Sequence, residues 1–148
     1  MINDEVSTMD NCIFCKIVAG QIPSAKVYED HETFAFLDIA PANKGHCLVV
    51  PKKHMATVEE AAPEALAAMM RAAKKVARAI SSAQGNTAYN IVVNNGREAG
   101  QIVFHLHLHV IPRYADDELV IDWERAKRRA KYASGEIEQV RLAIGKFL

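Results

Sequence analysis

The stretch Val103-Phe-His-Leu-His-Leu-His-Val-Ile-Pro112 is the most informative segment of this chain. From His105 onward, three histidines alternate with aliphatic residues. A period of two is the period of a β-strand, so the pattern predicts one strand with its histidines on one face and its aliphatic side chains on the other. Three of the chain's six histidines fall within five consecutive residues. We therefore interpret them as a functional site and not as three separate structural side chains.

Length and composition are those of an ordinary globular protein. The chain has 148 residues, of which 50% are hydrophobic and 24% charged, which predicts one domain with a substantial core. Lys plus Arg equals Asp plus Glu at 18 each, so bulk charge favours neither a nucleic-acid nor a membrane partner. No apolar run approaches the roughly 20 residues of a bilayer span, and the first residues lack a signal-peptide pattern. Three cysteines, an odd number, favour a reduced, cytoplasmic compartment over a disulfide framework.

Strand and helix patterns fill the rest of the chain. Strand-like patterns occur at residues 25–28, 33–37, 45–51 and 89–93, in addition to 103–112. Residues 63–84 predict a long helix, because apolar residues recur every three or four positions between Pro63 and Gly85. Asn11 and Gly20 suit the start and end of a short N-terminal helix. Segments 123–131 and 136–147 suggest helices in a C-terminal extension.

The histidine row suits two kinds of chemistry. Histidines at alternate strand positions can converge on a catalytic metal, although no acidic residue lies between Glu98 and Asp116. Alternatively, a neutral imidazole can attack phosphorus while its neighbours and backbone N–H groups stabilise the phosphoryl charge. Gly96 and Gly100 precede the row and allow backbone N–H groups to come close to an anion. The residues alone leave both alternatives open.

Two further features have more than one interpretation. Cys12 and Cys15 form a C-x-x-C pair, which can be a structural metal site, a redox pair or two small buried residues. Asp38 follows a predicted strand. Its carboxylate can be a turn former, or it can accept two hydrogen bonds from a vicinal diol.

Several segments, in order, resemble the histidine triad (HIT) superfamily. His105-Leu-His-Leu-His-Val-Ile111 matches its histidine signature, and residues 12–23, 36–39, 45–54 and 99–101 are similar as well. The resemblance covers residues 11–114 and is closest to the bacterial and Hint-type nucleotide hydrolases, which are usually homodimers. It implies an α+β, HIT-like fold with about five antiparallel strands, one long helix and a short N-terminal helix. Residues 1–10 would be a loose tail, and residues 115–148 a helical extension packed on the same domain.

The resemblance also implies catalytic roles. His107 would be the nucleophile and would form a nucleotidyl-histidine intermediate. His109 would contact the phosphate and assist proton transfer. His105 would orient His107 through its backbone carbonyl, and His46 would complete the polar wall.

Nucleotide-binding residues follow from the same resemblance. Asp38 would hold the ribose hydroxyls, which replaces its interpretation as a turn former. The remaining contacts would be Ile39 and Phe14 beside the base, and Asn94, Gly100 and Gln101 near the phosphate or the leaving group. Relatives often have Ser or Thr after the Gly-Gln pair, whereas this chain has Ile102. The missing hydroxyl leaves the preferred leaving group open.

Some family members carry a structural zinc ion, and the resemblance implies the same here. Its ligands would be Cys12, Cys15, His54 and His105, a Cys₂His₂ set. Zinc would then connect the N-terminal segment to the start of the histidine row. The chemistry itself would require no cofactor.

The expected function is hydrolysis of a nucleotide with a substituted α-phosphate, which releases a nucleoside monophosphate. Candidate substrates are purine nucleoside phosphoramidates and dinucleoside polyphosphates. The alternatives are a nucleotide-binding regulatory module with little turnover, a metal hydrolase that uses the histidines as ligands, and a nucleotidyl transferase. The expected partners are a purine nucleotide and a second copy of the chain, with neither nucleic acid nor membrane.

Overall fold

A computed structural model describes residues 9–119 and 130–148 of the chain. In these ranges the strands are β1 (Lys26–Glu29), β2 (Thr33–Leu37), β3 (Cys47–Pro51), β4 (Ala88–Val92) and β5 (Leu108–Arg113). The α-helices there are α1 (Ile13–Val18), α2 (Pro63–Gln84) and α3 (Glu136–Gly145). Short 3₁₀ turns occur at Val58–Glu60 and Arg97–Ala99.

The strands form one antiparallel sheet in the order β1-β2-β3-β5-β4. β2 and β3 pair from Thr33 opposite Pro51 to Leu37 opposite Cys47. β5 lies between β3 and β4, so it is a central strand although it is the last in sequence. β4 lies at an edge. The predicted α+β fold with a five-stranded antiparallel sheet is confirmed.

Helix α2 covers one face of the sheet. It begins at Pro63 as predicted, and Gly85 ends it in the left-handed conformation, with φ 73° and its N–H donating to the Ser81 carbonyl. Burial of its apolar stripe against the sheet stabilises the helix more than intrinsic propensity does. The strand side chains of this core include Ala35, Leu37, Cys47, Val49, Leu108 and Val110.

The opposite face of the sheet carries aromatic side chains and His109. Alternate residues of the same strands, Phe34, Phe36, Leu48 and Val50, form a second cluster under helix α1. Because side chains alternate along a strand, His109 lies on this face when its neighbours Leu108 and Val110 lie in the α2 core. The sheet therefore separates a purely apolar core from a face that mixes aromatic rings and histidines.

The prediction of a single strand from residue 103 to 112 is wrong at its start. β5 begins at Leu108, so His105 and His107 precede the strand. Pairing with β3 covers only Leu108 to Val110. Before that point Leu106 N–H donates to the Met55 carbonyl at 2.7 Å, and the His105 ring contacts the Pro51 carbonyl. The pairing with β3 stops at Val49, and Pro51, two residues further along β3, has no N–H to extend it.

The N-terminal helix is present, but its predicted cap is wrong. Cys12, not Asn11, is the N-cap residue, and its sulfur accepts from the Cys15 N–H at 3.4 Å. The helix ends at Val18, two residues before Gly20. The first turn is thus closed by a thiol that the sequence also offers as a metal ligand.

In the C-terminal extension, α3 packs against α2 and β1, with Ile144 fully buried. Glu136 forms an ion pair with Lys44 at 2.7 Å, and Gly45 N–H donates to the Tyr132 oxygen at 2.9 Å. The helix suggested at 123–131 falls largely outside the described residues. Within them, no helix combines the length and apolar character that a membrane crossing requires.

Candidate active site

A cavity of about 420 Å³ opens on the face of the sheet that carries α1. Its walls come from α1, the residues after β2, the loop at 100–103, and the start of β5. Apolar side chains form most of the lining. The polar side chains among the lining residues are Ser24, Asp38, His107 and His109.

Local hydrogen bonding fixes the tautomer of His107. Its Nδ1 lies 2.6 Å from the backbone carbonyl of His105, and a carbonyl only accepts, so Nδ1 carries the proton. The neutral ring then has its lone pair on Nε2. The side chain is 7% exposed and lines the cavity. The Phe14 ring packs edge-on against it, with centroids 5.1 Å apart.

A second chain of hydrogen bonds fixes the tautomer of His109. The Ala42 N–H donates to His46 Nδ1 at 3.0 Å, so His46 carries its proton on Nε2. His46 Nε2 in turn lies 2.9 Å from His109 Nδ1, which must accept. A neutral His109 therefore carries its proton on Nε2. Its ring centroid is 4.9 Å from that of His107, which places a proton donor beside a nitrogen lone pair.

Asp38 lies at the end of the cavity nearest to His46. Its Oδ1 accepts from the Ala40 N–H at 2.8 Å, which is the geometry of an Asx turn. Its Oδ2 is 3.8 Å from His46 Nε2. The carboxylate thus holds the turn after β2 and also lines the cavity. Both interpretations made from sequence are compatible with this position.

The two cysteines meet two histidines on the other side of the histidine row. Cys12, Cys15, His54 and His105 each present one ligand atom, and these atoms lie within 4.8 Å of one another. The Cys12 sulfur and the Cys15 sulfur are 3.3 and 3.5 Å from His105 Nδ1. His54 Nδ1 is 3.3 Å from both the Cys15 sulfur and His105 Nδ1. Tetrahedral zinc separates such ligands by about 3.3–3.8 Å, so these residues fit zinc well.

Burial favours the neutral forms of His105 and Cys15 in this cluster. It lowers the pKa of His105 to about 4, and His105 Nε2–H donates to the Pro51 carbonyl at 2.8 Å. The Nδ1 lone pair consequently faces the sulfurs, as a metal-ligating histidine requires. Burial also raises the pKa of the Cys15 thiol to about 11 in the chain without metal. Metal binding here would release thiol protons.

Two predicted phosphate contacts do not line the cavity. Gln101 is 4% exposed; its Oε1 accepts from Gly96 N–H, and its Nε2 donates to the Ala56 and Val103 carbonyls. Asn94 is half-buried outside the cavity lining. Gly100, between them in sequence, does line the cavity and has φ 92°, which favours glycine.

Sequence reasoning overlooked several residues of the apolar wall. Ile13 and Ile17 line the cavity from α1, and Leu48 lines it from β3. The spacing of Ile13 and Ile17, one helical turn apart, is the signal that could have found them. Ile102 was noted only for its missing hydroxyl, yet its side chain lies at the cavity and is 73% exposed.

The fold and the site define an α+β protein with a histidine-lined cavity on one face of an antiparallel sheet. The chain belongs to the HIT family, since the HIT domain model matches residues 19–116. The relative named Protein hit, from Bacillus subtilis, is 53% identical over 105 residues, which are 71% of this chain and 72% of that protein.

A second relative and a solved structure extend the comparison. Adenosine 5'-monophosphoramidase hnt1 of Schizosaccharomyces pombe is 50% identical over 103 residues, 70% of this chain and 74% of its own. A Zn-bound histidine triad family protein from Mycobacterium smegmatis has a TM-score of 0.81 at 34% identity, covering 95% of this chain and 94% of that chain. The predicted family is confirmed.

Proposed function

We propose that this chain is a hydrolase that cleaves a substituted α-phosphate of a purine nucleotide through a covalent intermediate on His107. The observation that carries the proposal is the 2.6 Å contact between His107 Nδ1 and the His105 carbonyl, because it leaves the Nε2 lone pair for attack. The similarity to a relative named as a phosphoramidase supports a phosphorus–nitrogen bond as the one cleaved. Dinucleoside polyphosphates are the other substrate class.

In the first step, His107 Nε2 forms a bond to phosphorus. The bond from phosphorus to the leaving group breaks, and its electron pair departs with the leaving group. The proton on His109 Nε2 passes to that group, which makes it a neutral amine or a protonated oxygen. The negative charge that this leaves on His109 is stabilised by the His46 Nε2–H that donates to its Nδ1, and it balances the positive charge that forms on His107. The substituted His107 ring becomes positively charged, and the His105 carbonyl that accepts from Nδ1 stabilises this charge.

In the second step, water attacks the phosphorus. One water proton returns to His109, the bond between phosphorus and His107 Nε2 breaks, and the nucleoside monophosphate leaves. The hydrogen-bond chain from Ala42 through His46 prepares His109 for both transfers, because it holds the acceptor nitrogen inward. The backbone of Gly100 is the candidate anion contact in the loop before the histidines.

The nucleoside would extend away from the histidines toward α1 and the end of β2. Asp38 lines that part of the cavity and would accept from the ribose hydroxyls. Ile39 and Phe14 supply apolar surface of the kind that a purine ring covers. Gln101 is left as a support of the loop, and neither its side chain nor that of Asn94 lines the cavity.

Cys12, Cys15, His54 and His105 would hold a structural zinc ion. Such an ion would fix α1 to the segment that begins the histidine row and would stabilise the fold. The Zn-bound relative of known structure supports this assignment. Thiols kept for metal binding also suit a reducing compartment, which is why we propose a cytoplasmic location.

We further propose a homodimer through strand β4. β4 is an edge strand. Tyr89 in this strand and Met70 in α2 are exposed apolar side chains. Together with Ile91 they line a shallow depression on the α2 side. A second copy that pairs there would extend the sheet and cover this surface. Met70→Glu should shift the particle to the mass of one chain in light scattering, whereas Leu142→Glu on α3 should not.

Two rival functions have support from particular observations. The Ile102 side chain has no hydroxyl to donate a hydrogen bond, which favours a nucleotide-binding module with little turnover. Asp38, His46 and His109 also lie within 4.8 Å of one another, which favours a metal hydrolase. A nucleotidyl transferase would use the same intermediate with phosphate in place of water.

Rapid quenching of a reaction with radiolabelled adenosine phosphoramidate tests the proposal. We expect label bound to the wild-type chain in the peptide that contains His107, and none in His107→Ala. A binding module would give neither label nor product. A metal hydrolase would release product without labelled protein and would lose that turnover in chelator while still folded.

A further inference from the structure

The rim of the cavity is unusually apolar for a surface that must meet water. Among the described residues, the isoleucines that stand out as exposed are Ile39, Ile102 and Ile13, at 84%, 73% and 46%. All three line the cavity that His107 and His109 also line. Exposed aliphatic groups that cluster at one opening provide surface that a ligand stabilises by covering it.

Ile102 is fixed at the rim by its neighbour. The Gln101 side chain is buried and makes hydrogen bonds to Gly96 N–H at 2.8 Å and to the Ala56 and Val103 carbonyls at 2.7 and 3.1 Å. Gln101 N–H also donates to the Gly96 carbonyl at 3.0 Å. These contacts bind residue 101 to two other segments. Ile102 is therefore held beside the cavity by a well-anchored backbone.

The strand register places Ile102 and Asp38 at opposite ends of the cavity. β3 and β5 pair from Cys47 opposite Val110 to Val49 opposite Leu108. Asp38 lies past the Cys47 end, since its N–H donates to the His46 carbonyl. The loop that carries Ile102 lies past the other end, because Gln101 contacts Ala56, beyond the end of β3.

The histidines lie between these two ends. If Asp38 holds the ribose and His107 the phosphorus, the group beyond the phosphorus extends toward Gly100 and Ile102. The geometry points to Ile102 as a specificity residue that selects substrates whose leaving group is an apolar amine. This inference rests on the proposed function and adds the chemical class of the leaving group to it.

The side chain at position 102 suits an apolar leaving group. Isoleucine neither donates nor accepts a hydrogen bond, so a polar leaving group would lose water there without a replacement. A branched aliphatic leaving group would instead cover the exposed Ile102 methyl groups. The proton that the departing amine needs would come from His109 Nε2, which the His46 contact keeps protonated.

The test uses two adenosine 5′-phosphoramidates of similar length, one with 3-methylbutylamine and one with 2-methoxyethylamine as leaving group. For each, kcat/KM for release of the monophosphate is measured with wild type and with Ile102→Thr. For each protein, the preference is the ratio of kcat/KM for the apolar amine to kcat/KM for the polar amine. Dividing the wild-type preference by the Ile102→Thr preference cancels the difference in intrinsic reactivity between the two amines. We expect the preference for the apolar amine to fall by about 10-fold in Ile102→Thr, as for the loss of a methylene-sized contact in a pocket.

Two variants serve as matched controls. Ile39→Thr removes a comparably exposed isoleucine from the Asp38 end of the cavity. It should lower kcat/KM for both substrates by the same factor. Leu142→Thr removes an exposed aliphatic side chain from α3 and should change neither. A preference that stays the same in Ile102→Thr, with product release still dependent on His107, overturns the leaving-group inference and leaves the proposed function standing. Product release that is absent, or that persists in His107→Ala, overturns both.

Discussion

The histidines on the two sides of the row have different surroundings. On one side, His105 and His54 face two sulfurs, and the other nitrogen of His105 is bonded to a carbonyl. On the other side, His107 and His109 present nitrogen atoms of opposite character to a cavity. Under the proposed function, the groups that contact each ring, and not the ring itself, would decide whether a histidine holds metal or reacts.

The largest expected effect is on the cavity side. His107→Ala should lower kcat/KM for an adenosine phosphoramidate by about 10⁴-fold or more, since the nucleophile is removed. Nucleotide binding measured by calorimetry should change little. His31→Ala, at an exposed histidine outside the cavity lining, should retain full activity. Activity within a few-fold of wild type in His107→Ala would contradict the assignment.

The next largest effect should come from loss of the proposed zinc site. Cys12→Ser should remove bound zinc and lower the free energy of unfolding by about 3 kcal/mol or more, or roughly 10 °C in Tm. Metal content by mass spectrometry and calorimetric Tm are the measurements. Cys47→Ala, at a buried cysteine in the α2 core, should keep one zinc per chain. Equal metal content in Cys12→Ser and wild type would show that the cluster does not hold the ion.

A smaller effect should follow from breaking the hydrogen-bond chain that runs from Ala42 through His46 to His109. His46→Ala removes the N–H that fixes the His109 tautomer, so kcat should fall by about 10²-fold, within the usual range for general acid catalysis. The loss should be greater for a basic amine leaving group than for a nitrophenol, which needs no proton. An equal loss for both leaving groups would mean that His46 supports structure and not proton transfer.

The smallest effect concerns the loop that supplies the Ala42 N–H. Asp117 accepts from Asn43 at 2.9 Å and pairs with Arg113 at 2.8 Å, and the Arg113 guanidinium holds the pKa of that carboxyl well below its usual range. Because the folded pKa is lowered, the stabilisation is present above the unfolded pKa of about 4 and disappears as pH falls through the folded value.

Asp117→Asn should therefore be less stable than wild type by a constant amount from neutral pH to about pH 5, with the difference shrinking below about pH 4. Thermal unfolding of both proteins across this range is the measurement. A difference that grows as the pH falls would mean that the carboxylate is not stabilised by folding.

Local signals predicted much of the fold. α2 has its predicted bounds because Pro63 and Gly85 mark both ends in sequence. β2 also matches, and the parity of His109 against Leu108 and Val110 holds. The start of β5 was missed because its pairing with β3 stops at Val49 opposite Leu108, and Pro51, two residues further along β3 and far from the histidines in sequence, has no N–H to extend it.

The candidate site was less predictable than the sheet. A period-two pattern places three histidines together but cannot say which carbonyl or thiol each ring meets. Gln101 illustrates the limit, because nothing in its local sequence indicates that Ala56 and Gly96 satisfy its amide. Ile102 was visible as a substitution, whereas its place at the rim depends on that distant anchor.

The stereochemical course at phosphorus tests the covalent role of His107 most directly. A phosphoramidate made chiral at phosphorus by isotopic or sulfur substitution is hydrolysed in labelled water, and the configuration of the product is determined. Two successive in-line displacements, first by His107 and then by water, predict overall retention. Inversion would mean a single direct attack by water and would contradict the nucleotidyl-His107 intermediate.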